Sequence, residues 1–466
     1  MIFSSPQFLV FFGVLLGILL LSRSNRFKKA VLLGASYFFY GYWDFRFVFL
    51  MATMTIVNYT IGRKIESAIN PQKKRWLILG IAFNLTVLGF FKYFNFFIDS
   101  INPILHALNL NLSHLEIILP IGISFITFEV ISYIADIYRG VGTSAKTIWD
   151  FALLVAFFPH LVAGPILRSS QFLPEIQKRI DLNLNNFSVG VQLFLLGLTR
   201  KVVIADRLAL FVDTVFKSPA EYSAMTLWLA VFAYAIQIYC DFCGYSDMAI
   251  GVAKILGFDI PRNFDLPYLS RSVTEFWRRW HISLSNWLRD YLYIPLGGNR
   301  HGKIRQYCNL MIVMLLGGLW HGASWNFVIW GGLHGAALAV HKLYSDLVGR
   351  SKKPTPWFYQ LCAGAATFLF VCLTWIFFRS PDFSASMFML QKLFHLIDPT
   401  GVNWTATALA IAVPVLILTD YAGNQLNQGV QLRLSSLRGL FVFFFVLFGV
   451  LFLAPKNPAP FIYFQF

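Results

Sequence analysis

Stretches of about twenty apolar residues recur along this chain, and that is the length a helix needs to cross a bilayer. The 466 residues are 57% hydrophobic and only 13% charged, about half the charged share of a soluble domain. A transmembrane β-barrel would show short alternating segments instead. The pattern predicts an all-α polytopic membrane protein. Spans are expected at about 6–22, 30–42, 47–62, 76–97 and 117–137, and again near 357–378, 403–420 and 437–455.

The net charge of +16 reads as topology. Basic residues cluster between apolar segments, at 23–29, 63–75, 139–146 and 297–305. Cytoplasmic loops carry such an excess. Residues 98–114 hold no lysine or arginine and suit the outer side. No charged residue precedes the first apolar run, so it is expected as an uncleaved span with its start outside the cytoplasm. A soluble basic face is absent, which argues against nucleic acid as a partner. The five cysteines suggest no disulfide framework. Cys240 and Cys243 have the spacing of a redox or metal pair but lack a second pair.

From 151 the alternation of loops fails. Segments 151–167, 187–216 and 225–253 have basic residues at both ends, and Pro159, Gly164 and Pro165 interrupt the first. Broken or re-entrant backbone is tolerated at membrane depth only when buried in protein or lining a cavity. Residues 254–305 mix tryptophan and tyrosine with arginine, as interfacial segments do. The expectation is one domain over 1–466 with about eleven membrane segments, including re-entrant or broken helices around a central cavity. Its parts would be N-terminal spans (1–118), a motif-bearing core (119–345) and C-terminal spans (346–466).

The stretch "LLGGLWHGASWNFVIWGGLHG" (315–335) is nearly all apolar, glycine and aromatic, yet holds His321 and His334. Arg300, Lys303 and Arg305 precede it; Lys342, Arg350, Lys352 and Lys353 follow it. With both flanks cytoplasmic, two helices of about 17 residues would go in and return, turning near "WHGAS". His321 would then sit deep at a helix break, where an ionisable residue is costly and marks function.

Three further sets are candidates for chemistry. His281 ends "FWRRWH", where a surface histidine beside arginines is the plainer reading. Glu129, Ser132, Asp136 and Arg139 form one helical stripe, read as polar glue within a bundle. Asp241, Tyr245, Ser246 and Asp247 suit either a proton path or a capped break at Gly244. No Cys/His cluster has metal spacing, so no metal is expected.

Taken together, the motifs resemble the membrane-bound O-acyltransferase family, and most closely its bacterial, alginate-type branch. The matching residues are "LPIGISFITFEVISYIADIYRG" (119–140), "FFPHLVAGPILR" (157–168), "QIYCDFCGYSDMAIG" (237–251), "NFDLPYLSRSVTEFWRRWHISLSNWLRDYLYIPLGGNR" (263–300) and "GGLWHGASWNFVIWGGLHG" (317–335). Cys243 departs from the serine that similar proteins often carry.

The resemblance implies that His321 is the essential catalytic residue and His281 its family companion. It implies transfer of an acyl group, expected to be acetyl, from a thioester donor to a hydroxyl. Acetyl-coenzyme A and an acyl carrier protein thioester are both open as donor, with no bound cofactor. Trp280, Asn286, Asp290, Trp320 and Trp325 are expected to line the substrate site. Arg278 and Arg279 are expected at the donor's mouth, where anchoring to lipid headgroups is an equally good reading. The expected partners are membrane lipid, the donor, and a periplasmic acetyltransferase or polysaccharide-modification proteins. The expected location is the bacterial inner membrane, and the expected acceptor an exported, alginate-like polysaccharide. D-alanyl or peptidoglycan transfer, a transporter using intramembrane carboxylates, and a bis-histidine haem protein are the alternatives.

The hairpin makes a direct prediction. A tag inserted at residue 350 should be labelled from the cytoplasmic side, and labelling from outside would remove the hairpin.

Overall fold

The computed structural model describes all residues except 111, 350–355, 396–400, 405–406, 456–458 and 463–466. The basic flank at Arg350, Lys352 and Lys353 therefore lies outside the described residues. Helices dominate, and the one isolated bridge among the described residues pairs Tyr222 with Val402. Among the described residues, five helical runs are long and apolar enough to cross a membrane: Gln72–Ala107, Leu184–Lys217, Ala224–Ile255, Trp357–Arg379 and Leu409–Asn427. Pro6–Leu20 and Leu437–Leu453 are shorter apolar helices. The expected spans near 30–42, 47–62 and 117–137 are the helices Asn25–Gly41, Arg46–Ser67 and Ile123–Arg139.

Internal contacts group the chain into two units, 1–194 with 246–261 and 195–245 with 262–466. The first unit shows how a bilayer protein satisfies polar groups without water. Asn58 and Asn84 exchange amide hydrogen bonds at 3.0 and 2.7 Å. Each also donates to a carbonyl four residues back in its own helix. The Glu129 stripe joins a neighbouring element at Asp136, while Ser132 bonds within its own helix. Ser132 Oγ donates to the Glu129 carbonyl at 2.7 Å, and Ser170 Oγ donates to Asp136 Oδ2 at 3.4 Å. Arg139 reaches the exposed end.

The interruption around Pro159 is real. The Ile148–Ala156 helix stops, a four-residue turn Phe158–Leu161 follows, and an irregular segment leads to Ser169. Stopping a helix orphans its last carbonyls. His160 Nε2 donates to the Leu154 carbonyl at 3.0 Å, so the histidine in "FFPH" closes the break.

In the second unit the Leu184–Lys217 run passes through a π-turn at Arg200–Ala205. That turn delivers Lys201 between Asp206 (2.7 Å) and Asp241 (2.6 Å). Lys201 Nζ also donates to the Ala459 carbonyl, and the Ile462 N–H donates to Asp241 Oδ2. Asp241 is thus an ion-pair partner. The capped break at Gly244 does not occur, because Ala224–Ile255 is one continuous helix. Gly244 serves close packing instead: a Cβ there would lie 2.6 Å from the Gly197 carbonyl. No disulfide joins any two of the five cysteines, all of which are described, and Arg200 Nη1 contacts Cys243 Sγ at 3.2 Å.

The 315–335 stretch forms the expected hairpin, with longer arms. Lys303–His321 and Trp325–Val348 are 19 and 24 residues long. They turn at 322–324, where Ser324 Oγ accepts from the Asn326 N–H. The glycines explain the tight return. A Cβ on Gly318 would lie 2.1 Å from the Phe327 carbonyl, and one on Gly331 2.2 Å from the Met314 carbonyl. Small residues let membrane helices approach this closely.

Gly318→Ala should therefore destabilise the folded protein by about 1–3 kcal/mol, the usual cost of overpacking. Gly17→Ala, where a Cβ meets nothing within 4 Å, is the control. Thermal melting of the two purified variants checks the contrast.

Candidate active site

His321 is the last residue of the inbound hairpin arm, and only 4% of it is exposed. Aromatic rings wall it in. Trp320 lies at 5.0 Å between ring centroids, Trp330 at 5.1 Å and Phe378 at 5.3 Å. All three meet it edge-on, near 70–90°, the geometry aromatic quadrupoles favour. These rings leave little of the imidazole open.

His281 comes from a different element and arrives beside it, with centroids 6.5 Å apart. It is fully buried, so the surface reading fails. Two seven-residue helices, Val273–Arg279 and Ile282–Leu288, flank it. His281 joins them in the left-handed region (φ 43°), which few non-glycine residues adopt. Strain of this kind persists where the surroundings over-determine it. Here they do: Phe242 packs edge-on at 4.7 Å and Trp320 at 6.0 Å.

Asn263 fixes the tautomer of His281. Its Oδ1 accepts from the Ser283 N–H (3.2 Å) and the Ser283 hydroxyl (2.9 Å), so that atom is the oxygen. His281 Nδ1, 3.2 Å away, must therefore be the donor. Nε2 then carries the lone pair of a neutral ring. Burial lowers the His281 pKa to about 3, because removal from water penalises the charged form.

His334, thirteen residues on from His321, is a structural histidine. Its Nδ1 accepts from Trp277 Nε1 at 3.2 Å, and its Nε2 bonds Thr374 Oγ1 at 3.0 Å. Thr374 Oγ1 in turn donates to the Val371 carbonyl. Both ring nitrogens are engaged, and Trp330 packs on both His321 and His334. The bis-histidine haem reading has no geometry to rest on. Among the described residues no three His, Cys, Asp or Glu side chains are arranged to hold a metal ion.

The remaining predicted residues divide. Trp320 contacts both histidines. Trp280 is buried behind His281, against Phe264, Phe276 and Trp375. Asn286 is half-buried on the Ile282–Leu288 helix. Asp290 grips Arg289 through two bonds, Nε to Oδ1 at 2.6 Å and Nη2 to Oδ2 at 3.0 Å. Trp325 is 57% exposed at the start of the outgoing arm, and Trp330, one and a half turns on, is the ring at His321. Arg279 pairs with Glu275 at 2.7 Å, while Arg278 is exposed. Asn263, Phe242, Trp330 and Phe378 were not singled out from sequence. Phe378 lies in the C-terminal part, and nothing local distinguishes it from any other apolar residue.

Comparison with known proteins identifies the family. The model of the membrane-bound O-acyltransferase family matches residues 147–380, which include both histidines. A Pseudomonas putida protein named "Probable alginate O-acetylase AlgI" is 41% identical over the whole of both chains. A peptidoglycan O-acetyltransferase of Helicobacter pylori is 37% identical over 85% of this chain and 80% of that one. A teichoic acid D-alanyltransferase of Streptococcus thermophilus is 32% identical over 47% of this chain and 56% of that one. The chain belongs to the membrane-bound O-acyltransferase family. It is a multi-pass membrane enzyme that transfers acyl groups to oxygen, which sets aside the transporter reading.

Asn263→Leu should lower acyl transfer about 10–100-fold, the scale seen when a partner orienting a histidine is removed. Asn263→Asp, which keeps an acceptor in place, should retain more activity. Equal loss in both variants would argue against orientation as the role of Asn263.

Proposed function

We propose that the chain O-acetylates an exported, alginate-like polysaccharide from the bacterial inner membrane, with His321 as the general base. The observation that carries this is the convergence of His321 and His281 from separate elements onto one enclosed aromatic site. Family membership supplies the reaction class, and similarity to the Pseudomonas putida protein over its whole length supports the polymer.

A hydroxyl is a poor nucleophile while it holds its proton. In the proposed mechanism the His321 imidazole takes that proton as the acceptor oxygen attacks the thioester carbonyl. The tetrahedral intermediate collapses, the C–S bond breaks, and the thiolate takes the proton back from His321. The cycle is proton-neutral, and the base is regenerated. His281, neutral with a lone pair on Nε2, is suited to accept a hydrogen bond from a neighbouring hydroxyl of the acceptor sugar and so aim the attacking one. It is poorly suited to polarise the carbonyl, which requires a donor. The surrounding tryptophans exclude water that would hydrolyse the thioester.

Trp280, Asn286 and Asp290 shape the acceptor side in this reading. Arg278, exposed beside the paired Arg279, attracts a phosphate-bearing donor. Acetyl-coenzyme A or an acyl carrier protein thioester supplies the acetyl group. A periplasmic acetyltransferase or other polysaccharide-modification protein is the expected partner.

Purified protein given labelled acetyl-coenzyme A and an acceptor tests the assignment. His321→Ala should fold with an unchanged melting profile and lose transfer by about 10²–10⁴-fold or more, the usual contribution of general base catalysis. His281→Gln, which keeps a polar group in place, should lose less. A folded His321→Ala protein with normal transfer would refute the base assignment.

A further inference from the structure

The first unit carries a groove lined by none of the residues proposed for acyl transfer. It has a volume of about 940 Å³ and runs between the Asn25–Gly41, Arg46–Ser67 and Ile148–Ala156 helices. That volume is at the upper end of the roughly 300–1,000 Å³ of ligand pockets. We propose that this groove is a binding site for one anionic phospholipid of the cytoplasmic leaflet, with the phosphate on Arg26 and Lys29 and an acyl chain along the groove.

Three observations support this occupant. The first is polarity. The walls are aliphatic, including Leu33, Ile56 and Leu153, while both cations of the lining, Arg26 and Lys29, sit at one end. Lys29 Nζ is 3.2 Å from Asp150 Oδ1. Arg26 is exposed and has no salt bridge among the described residues, so the end is net positive.

The second is depth. From Arg26 to Tyr37 the lining follows one helix for eleven residues. At 1.5 Å per residue that is about 16 Å. Half of a bilayer's hydrocarbon core is about 15 Å, so the groove is one leaflet deep. Toward its far end Thr55 Oγ1 is already committed, donating to the Met51 carbonyl at 2.8 Å.

The third is placement. The basic end belongs to the 23–29 cluster, which the positive-inside rule puts on the cytoplasmic side, where anionic lipids attract basic residues. Trp149, 70% exposed, stands at the same end, as interfacial tryptophans do.

Gly34 gives a clean probe. It lines the groove, and a Cβ built on it meets nothing within 4 Å. Gly34→Leu should fill the slot without disturbing the helices.

The test is native mass spectrometry of the full-length protein in nanodiscs of mixed phosphatidylglycerol and phosphatidylethanolamine. Wild type should retain one phosphatidylglycerol, preferred by about tenfold or more. Arg26→Gln with Lys29→Gln should abolish the preference, and Gly34→Leu should lose the bound lipid. Circular dichroism and melting profiles should be unchanged in each. Brominated phosphatidylglycerol should quench Trp149 fluorescence, taken as the difference from Trp149→Phe, more than brominated phosphatidylethanolamine does. Equal retention of both lipids by wild type, retention unaffected by the variants, or displacement by acetyl-coenzyme A would each overturn the proposal.

Discussion

Two helices can lie against each other at backbone distance only where neither has a side chain in the way. Gly318 and Gly331 provide that place. The contact is intimate enough that a methyl group on either would strike a carbonyl of the opposite arm. In a bilayer there is no hydrophobic drive to press helices together, so close packing has to do it. His321 ends one of these arms, and its position is inherited from the glycines a turn below it. The aromatic residues then fill the space the turn leaves open: Trp320 and Trp330 from the arms, and Phe378 from the Trp357–Arg379 helix.

The same absence of water governs the polar residues elsewhere. Several of those buried in the frame are matched to a partner of the right kind. Amide meets amide at Asn58 and Asn84. An ammonium meets two carboxylates at Lys201. Imidazole meets an orphaned carbonyl at His160. His334 uses both of its nitrogens in this way. An intramembrane histidine is therefore not a catalytic signal by itself. His281 and His321 stand apart because they come from different elements and converge.

Much of this was legible in the sequence. The hairpin, its turn near "WHGAS" and the break at Pro159 follow from charge flanks, helix length and proline. The family motifs pointed to His321 and His281 together. What escaped was long-range. Asn263 lies eighteen residues before His281, and no periodicity connects them. Phe378 is one more apolar residue until the fold brings it to His321. Trp325 is expected at the site from sequence, but it lies exposed at the start of its helix, and Trp330 is the ring beside His321. Asp241 suited a proton path or a helix break in the sequence because its cation, Lys201, comes from another helix.

The contrast between the two walls of the site has a mechanical consequence. One wall is a hairpin locked by touching backbones, so it has little freedom to yield. The other is a pair of seven-residue helices joined through a strained His281. Each is two turns long, too short to be stable without its tertiary contacts. Any yielding of this site therefore falls more easily on the His281 side, and His321 holds its place while its neighbour swings.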